Sequence, residues 1–336
     1  MNIIDLLATN GLNLNMVDIG CSGPLNTRWN KLLNEINYFG FDPNKEECER
    51  LEKDNKPFRS TKFLPFAISG NNGKSTLYKT KSIFCYSLLK PDMDILGRFT
   101  FADLFELQGE DEIDVITLDS CPELIDVNID ILKIDAQGLE KFILSGSTRA
   151  LESALYVETE SGFTPNYIGE STQAEVDMYM REKGFLLFDL TLFKMPYNNE
   201  FAHISPSNGQ LLWSESVWLK DLIKLYADPG KALNDADRIV FLKMLVLCAV
   251  VGCYDYGLAI AIRALQLNLI NQVEFDTLSN FDNWQLGTEQ NGEVLPKPSL
   301  IYNFILRLLP FSLRCKLFKE LEFTLKQKHI LKFLSN

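Results

Sequence analysis

Histidine is nearly absent from this chain, with only His203 and His329 among 336 residues. The seven cysteines, Cys21, Cys48, Cys85, Cys121, Cys248, Cys253 and Cys315, contain no C-x-x-C pair. These shortages leave no His/Cys set with metal-ligand spacing, so no metal site is expected. An odd thiol count without such pairs argues for buried, reduced cysteines and a cytoplasmic compartment. Asp5 interrupts the first apolar stretch and no basic residue precedes it, so no secretory signal is expected. Long hydrophobic runs are missing too. The longest, Met244 to Tyr254, lies between Lys243 and Asp255 and is too short to span a bilayer. It reads as a core helix. Basic residues are in deficit, Lys+Arg 33 against Asp+Glu 45 for a net charge of −12, which argues against nucleic acid as a partner.

What is present is enough apolar side chain, 46% of residues, to build a substantial core. The charge is unevenly placed. Residues 221–336 carry 13 basic and 12 acidic side chains, leaving 20 and 33 for residues 1–220. That shift predicts two domains, 1–220 and 221–336.

The first 220 residues alternate strand and helix signals. Short apolar runs at 14–19, 38–41, 62–68, 113–118, 129–134, 155–160, 185–190 and 211–219 read as strands. Residues 74–79 and 82–89 read as a hairpin or an extended insertion, and 25–35 has helical spacing. Asn44 with Glu47, and Thr172 with Glu175, have capping-box spacing at the starts of helices. Such alternation implies an α/β fold with a mostly parallel sheet covered on both faces, its last strand antiparallel. Beyond 221 the strand signal gives way to helical spacing over 235–270 and 300–334, with 271–299 between them as a linker.

The segment richest in chemistry is Val17-Asp18-Ile19-Gly20-Cys21-Ser22-Gly23-Pro24, at the end of the first strand. Gly20 and Gly23 let a ligand approach the backbone, and ligands of open α/β sheets sit beyond the carboxyl ends of the strands. Asp42, 24 residues after Asp18, ends the second strand where it can accept hydrogen bonds from ribose hydroxyls. A dinucleotide site wants G-x-G-x-x-G, but here the first glycine position is Asp18. A carboxylate repels a pyrophosphate and suits a cationic ligand with an amino group and a sulfonium. S-adenosylmethionine is therefore favoured over a nicotinamide cofactor.

VDIGCSGP, YFGFDPNKEECERL, FLPFAISGNNGKSTLY, VITLDS, ILKIDAQGLEKFILSGS and ALYVETE follow in that order. In these blocks the chain resembles the FkbM-family methyltransferases over roughly residues 12–220. Gln137 stands where many members have Glu, and Cys-Ser-Gly-Pro replaces the usual residues after the first glycine. The resemblance implies a class I, seven-stranded Rossmann-like sheet and S-adenosylmethionine-dependent methylation of hydroxyls on sugars or secondary metabolites. It implies Asp18 and Gly20 at the methionine end of the cofactor, Asp42 at the ribose, Ala67 and Ile68 at the adenine, and Gly23 among the cofactor-binding residues. It places Lys133, Asp135, Gln137, Gly138 and Glu140 where methyl meets acceptor, with Glu158 and Glu160 on the same rim.

The candidate proton acceptors are Asp135, Glu158 and His203, the last in the connection between the final strands. Each site residue also has a structural alternative. Asp18 can bond backbone amides, Asp42 can stabilise a turn before Pro43, and Glu140 can cap a helix or pair with a base. Lys133 lies inside an apolar strand, where an unpaired charge is costly, so its partner is expected among the strand-end carboxylates. The expected function is S-adenosylmethionine-dependent O-methylation of a small-molecule or glycan hydroxyl. The alternative is a non-catalytic scaffold that binds partners through its helical C-terminal region. Residues 300–336, at net +5 with leucines at 313, 317, 321 and 325, form a basic amphipathic helix. Such a helix can lie on an anionic membrane. Packing on the preceding helices is the preferred reading.

Overall fold

The computed structural model describes residues 2–54, 57–199, 202, 209–228 and 232–284. Ten strands run in chain order as β1 Leu14–Ile19, β2 Ile36–Phe41, β3 Ser60–Leu64, β4 Ala67–Ile68, β5 Gly73–Thr80, β6 Leu107–Ile116, β7 Ile131–Ile134, β8 Tyr156–Gly162, β9 Phe185–Met195 and β10 Gln210–Lys220. Seven make one sheet in the order β3-β2-β1-β7-β8-β10-β9, and β4-β6-β5 make a second, smaller one. In the large sheet β3, β2, β1, β7 and β8 are parallel, while β10 runs antiparallel to both its neighbours. This is the mostly parallel sheet that the alternating pattern anticipated, with the seven strands that the resemblance implied.

Each face of the sheet has its own core. On one, Val17, Ile19, Leu132, Ile134 and Val157 pack with Ile143, Leu144 and Leu151, and with Val176 and Met180 of the helix Gln173–Glu182. That helix starts at the expected Thr172–Glu175 capping box. On the other face, Leu14, Met16, Ile36, Ile131 and Val217 pack under Phe241, Met244, Leu245 and Cys248 of the helix Asp235–Val251. Gly252, in the left-handed region at φ +83°, ends that helix.

The boundary expected at residue 220 therefore falls inside a compact unit that runs to residue 286. The physical reason lies after β1. Residues 25–35 do not form the expected helix; Pro24 and three asparagines leave only two 3-10 turns, Thr27–Trp29 and Leu33–Glu35. The face left short of cover is closed by the helix Asp235–Val251, which is anchored by Lys243 on both oxygens of Asp130 at 2.9 and 2.8 Å. A composition shift at 220 thus marks a change from strand to cover helix within one core.

Two local expectations also change. Pro65 ends β3, so Ala67 and Ile68 leave the large sheet and pair with Val115 and Ile116 of β6. The expected hairpin partner of β5 is replaced by β6, and residues 82–89 keep only a single bridge, Tyr78 to Ser87. Among the described residues no helix is long and apolar enough to cross a membrane. Six cysteines are described and all are free thiols. The basic segment 300–336 lies outside the described residues.

Candidate functional site

The strand order reverses between β1 and β7, and the crevice beyond their carboxyl ends is where an open sheet takes a ligand. Gly20, at φ +80°, turns the chain there. Its amide and that of Cys21 donate to the Phe41 carbonyl at 2.9 and 3.2 Å, and the Asp135 amide donates to Ile19 at 2.9 Å. The strand ends approach so closely that a Cβ at position 20 would stand 1.9 Å from the Asp135 carbonyl oxygen. Gly23 differs: nothing lies within 4 Å of where its Cβ would be, so the outer half of the turn is open.

Asp42 caps β2. One carboxylate oxygen accepts the Ser22 hydroxyl, the other the Asn44 amide at 2.8 Å. Burial pushes this carboxyl up from its ordinary value, against the pull of both bonds. Each oxygen keeps acceptor capacity beyond the bond it makes.

Asp18 is placed differently from a free anion in the crevice. It is 1% exposed, and its oxygens accept Lys133 Nζ at 2.9 Å and the Tyr38 hydroxyl at 2.7 Å. Lys133 thereby finds its carboxylate partner. Burial works against the Lys133 ammonium, but Asp18 and Asp135 outweigh it and hold it above the usual lysine range. Asp18 and Lys133 form the floor of the site.

Strand register lays the remaining side chains out in rows. Asp18, Lys133 and Glu158 are cross-strand neighbours on β1, β7 and β8. Two residues outward, Asp135 falls in line with Glu160, which lies opposite Glu215 of β10. The next row is Gly162, Trp213 and Phe193, whose two rings stack at 5.4 Å. Glu158 is buried and accepts the Tyr156 hydroxyl. Glu160 is half-buried in the outer row.

Asp135 accepts the Gln137 side-chain amide at 2.9 Å. Gln137 sits in the left-handed region at φ +54°, held by Ser87 Oγ on its carbonyl at 2.7 Å and the Tyr167 hydroxyl on its Oε1 at 2.9 Å. The segment 82–107 is thus tied to the site through one glutamine. Glu140 takes the capping alternative: Oε1 accepts the amides of Ala136 and Gly138 at 3.1 and 3.2 Å, and no base meets it. Its Oε2 is buried without a partner, and burial pushes the carboxyl up to about 8. Ala67 and Ile68 are buried in β4, off the large sheet. His203 lies outside the described residues. Among the described residues no group of three or more His, Cys, Asp or Glu is placed to hold a metal.

The sequence reading did not single out Tyr38, Tyr156, Tyr167, Arg28 or Glu215. Tyr156 and Tyr38 were detectable, since period-two alternation puts Tyr156 on the face of Glu158 and pairs Tyr38 with the face of Asp18. Arg28, whose Nη1 reaches the Tyr156 hydroxyl at 3.5 Å, comes from an irregular turn and leaves no pattern.

A buried acid with raised proton affinity links stability to pH. Between about pH 4.5 and 8 the native state holds a proton on Glu140 that the unfolded chain has lost, so stability falls as pH rises through that window and levels off above it. Glu170, pushed up to about 7 by burial, acts in the same direction. Urea midpoints should decline between pH 5 and 8 by a free energy on the order of 3 kcal/mol. Glu140→Gln, which keeps an acceptor for both amides, should make that decline shallower while leaving the part due to Glu170 and Glu160; an unchanged slope would show that Glu140 titrates normally.

The sequence from residue 23 to 187 matches the methyltransferase FkbM domain. The chain carries an FkbM methyltransferase domain. No curated protein matches the chain. Among solved structures it is similar to an FkbM methyltransferase from Methylobacillus flagellatus, at 14% identity and TM-score 0.33, covering 65% of this chain and 48% of that one. It is similar to the N-methyltransferase NodS from Bradyrhizobium japonicum, in complex with S-adenosylhomocysteine, at 10% identity and TM-score 0.32, covering 65% and 84%. Magnesium protoporphyrin IX methyltransferase from Synechocystis, with bound S-adenosylmethionine, gives 10% identity and TM-score 0.31 over 65% and 76%. The chain thus spans about half the length of the FkbM methyltransferase it matches.

FkbM domains belong to the S-adenosylmethionine-dependent enzymes, and the residues here fit that cofactor. The turn is open at Gly23, Asp42 has spare acceptor capacity at the tip of β2, and Asp135, Glu160 and Glu215 offer an acidic row to a cation. The FkbM match begins at Gly23, so β1 and the Asp18–Lys133 floor are completed from just upstream of it.

Proposed function

We propose that this chain transfers a methyl group from S-adenosylmethionine to a hydroxyl oxygen of a small molecule or glycan. When bound, the cofactor supplies a methyl group activated on a positively charged sulfur. The observation that carries the reading is the convergence of the Gly20–Gly23 turn, Asp42 and a row of carboxylates on the switch point of an FkbM-type sheet. Asp42 would hold the ribose hydroxyls, and Gly23 would leave room for the ligand against the turn. Asp135, fixed by Gln137, stands beside the turn to orient the reacting groups. An oxygen acceptor must lose a proton as it is methylated, and the rim is lined with carboxylates able to take one. Phe193 and Trp213 give the acceptor an aromatic wall one row further out.

Isothermal titration with S-adenosylmethionine tests the reading. One-to-one binding is expected, and Asp42→Ala should weaken it by about 1–3 kcal/mol because a charged acceptor is lost. A folded protein that gives no heat would turn the reading toward the non-catalytic scaffold. Unchanged affinity in Asp42→Ala would remove Asp42 from the ribose site.

A further inference from the structure

We infer that Glu160 is the group that takes the proton from the acceptor hydroxyl, with Glu215 across the strand pair as its positioning residue. The inference rests on the proposed methyl transfer. Its ground is the state of each carboxylate around the crevice. Asp18 is closed by Lys133 and Tyr38, and Glu158 by Tyr156. Asp135 holds the Gln137 amide. Glu140 and Glu170 are committed to backbone amides, those of Ala136 and Gly138 and those of Asn166 and Tyr167. Glu160 combines three properties that no other carboxylate here shares. It stands at the carboxyl end of a parallel strand, in line with Asp135, and nothing in the described structure ties its oxygens down.

Its surroundings make it a stronger base than an ordinary carboxylate. Burial first, then Asp135, Glu140 and Glu215, push it up to about 9, and Lys133 is the one cation set against them. The Cys85 thiol also lies within range of its charge and is itself pushed up by burial. The unpartnered Oε2 of Glu140, buried beside this group, adds to the same imbalance. So the acidic row lacks positive charge in the protein alone. A cation arriving in the crevice would favour the ionised form of Glu160, so the base is formed as the cofactor is loaded. In the step itself the acceptor oxygen forms a bond to the methyl carbon. The electron pair of the broken carbon–sulfur bond stays on sulfur, which becomes a neutral thioether. The hydroxyl proton moves to a Glu160 oxygen, leaving a neutral carboxyl.

Glu215 lies opposite Glu160 in the β8–β10 ladder, and burial and Glu158 push its own carboxyl up. Two carboxylates so placed do not ionise independently, so removing one lowers the proton affinity of the other.

The test labels protonated, accessible carboxyls on the intact, cofactor-free protein with a water-soluble carbodiimide and glycine methyl ester, read by peptide mass spectrometry across pH 5–10. Glu160 should be labelled at pH 7–8, and its labelling should fall away near pH 9. S-adenosylmethionine, which brings the positively charged sulfur, should suppress it. Glu215→Gln should move the fall to lower pH by about one unit, an effect that a purely structural role for Glu215 would not produce. Glu160 labelling that is already lost by pH 6 as the pH is raised, or no shift in Glu215→Gln, would overturn the inference. Each of these can occur while titration still shows S-adenosylmethionine binding, so failure here is distinct from failure of the proposed function.

Discussion

Asp18→Ala should destabilise the fold by about 3–5 kcal/mol, the largest effect expected of any single truncation at the site. The substitution leaves the Lys133 ammonium, whose side chain is 14% exposed, without its carboxylate, and strips the Tyr38 hydroxyl of its acceptor. Burial would then drive Lys133 to shed its proton or draw water into the floor. Urea denaturation measures the loss. The double variant Asp18→Ala, Lys133→Met should recover most of it, because removing both partners of a buried pair costs much less than removing one. A loss under about 1 kcal/mol in the single variant would mean that Lys133 reaches solvent or another acid.

Gly20→Ala should come next, at about 3 kcal/mol or more. Position 20 has φ +80°, where a Cβ is strained, and that Cβ would lie 1.9 Å from the Asp135 carbonyl oxygen. The obstacle is backbone, so relief requires β1 and β7 to separate at their ends. Stability and S-adenosylmethionine binding should therefore fall together, with a larger loss of stability than in Asp42→Ala, where only the hydrogen bonds from Ser22 and Asn44 are given up. Gly23→Ala is the control: its Cβ meets nothing within 4 Å in the protein, so the fold should tolerate it. A stable Gly20→Ala with normal binding would show that the turn relaxes without opening the strands.

The sheet was legible because each strand has its own apolar run ending in a polar residue. Asp18, Asp42, Asp135 and Glu158 mark the same edge of four strands, so the rim could be placed from sequence. The chemistry at that edge was harder to read. Side-chain alternation puts Asp18 and Lys133 on one face, but only register makes them neighbours, and register depends on partners far apart in sequence. Glu158 and Glu160 look alike in LYVETE, yet a tyrosine hydroxyl closes one and leaves the other uncommitted. The helix expected at 25–35 failed because periodicity does not weigh Pro24 and the asparagines against it. The domain boundary failed for a related reason. A helix that covers a sheet carries no mark of which sheet it covers.

That remote cover has a consequence for synthesis. As the chain leaves the ribosome, the FkbM-matched segment is complete at residue 187, but Leu14, Met16, Ile131 and Tyr156 have no lid until residues 241–250 emerge. β10, which separates β8 from β9 in the sheet, also arrives only at 210–220. Closing contacts over such sequence distances makes folding slow and leaves sticky surface open in the meantime. A fragment cut at the end of the matched domain would lack both this cover and β10.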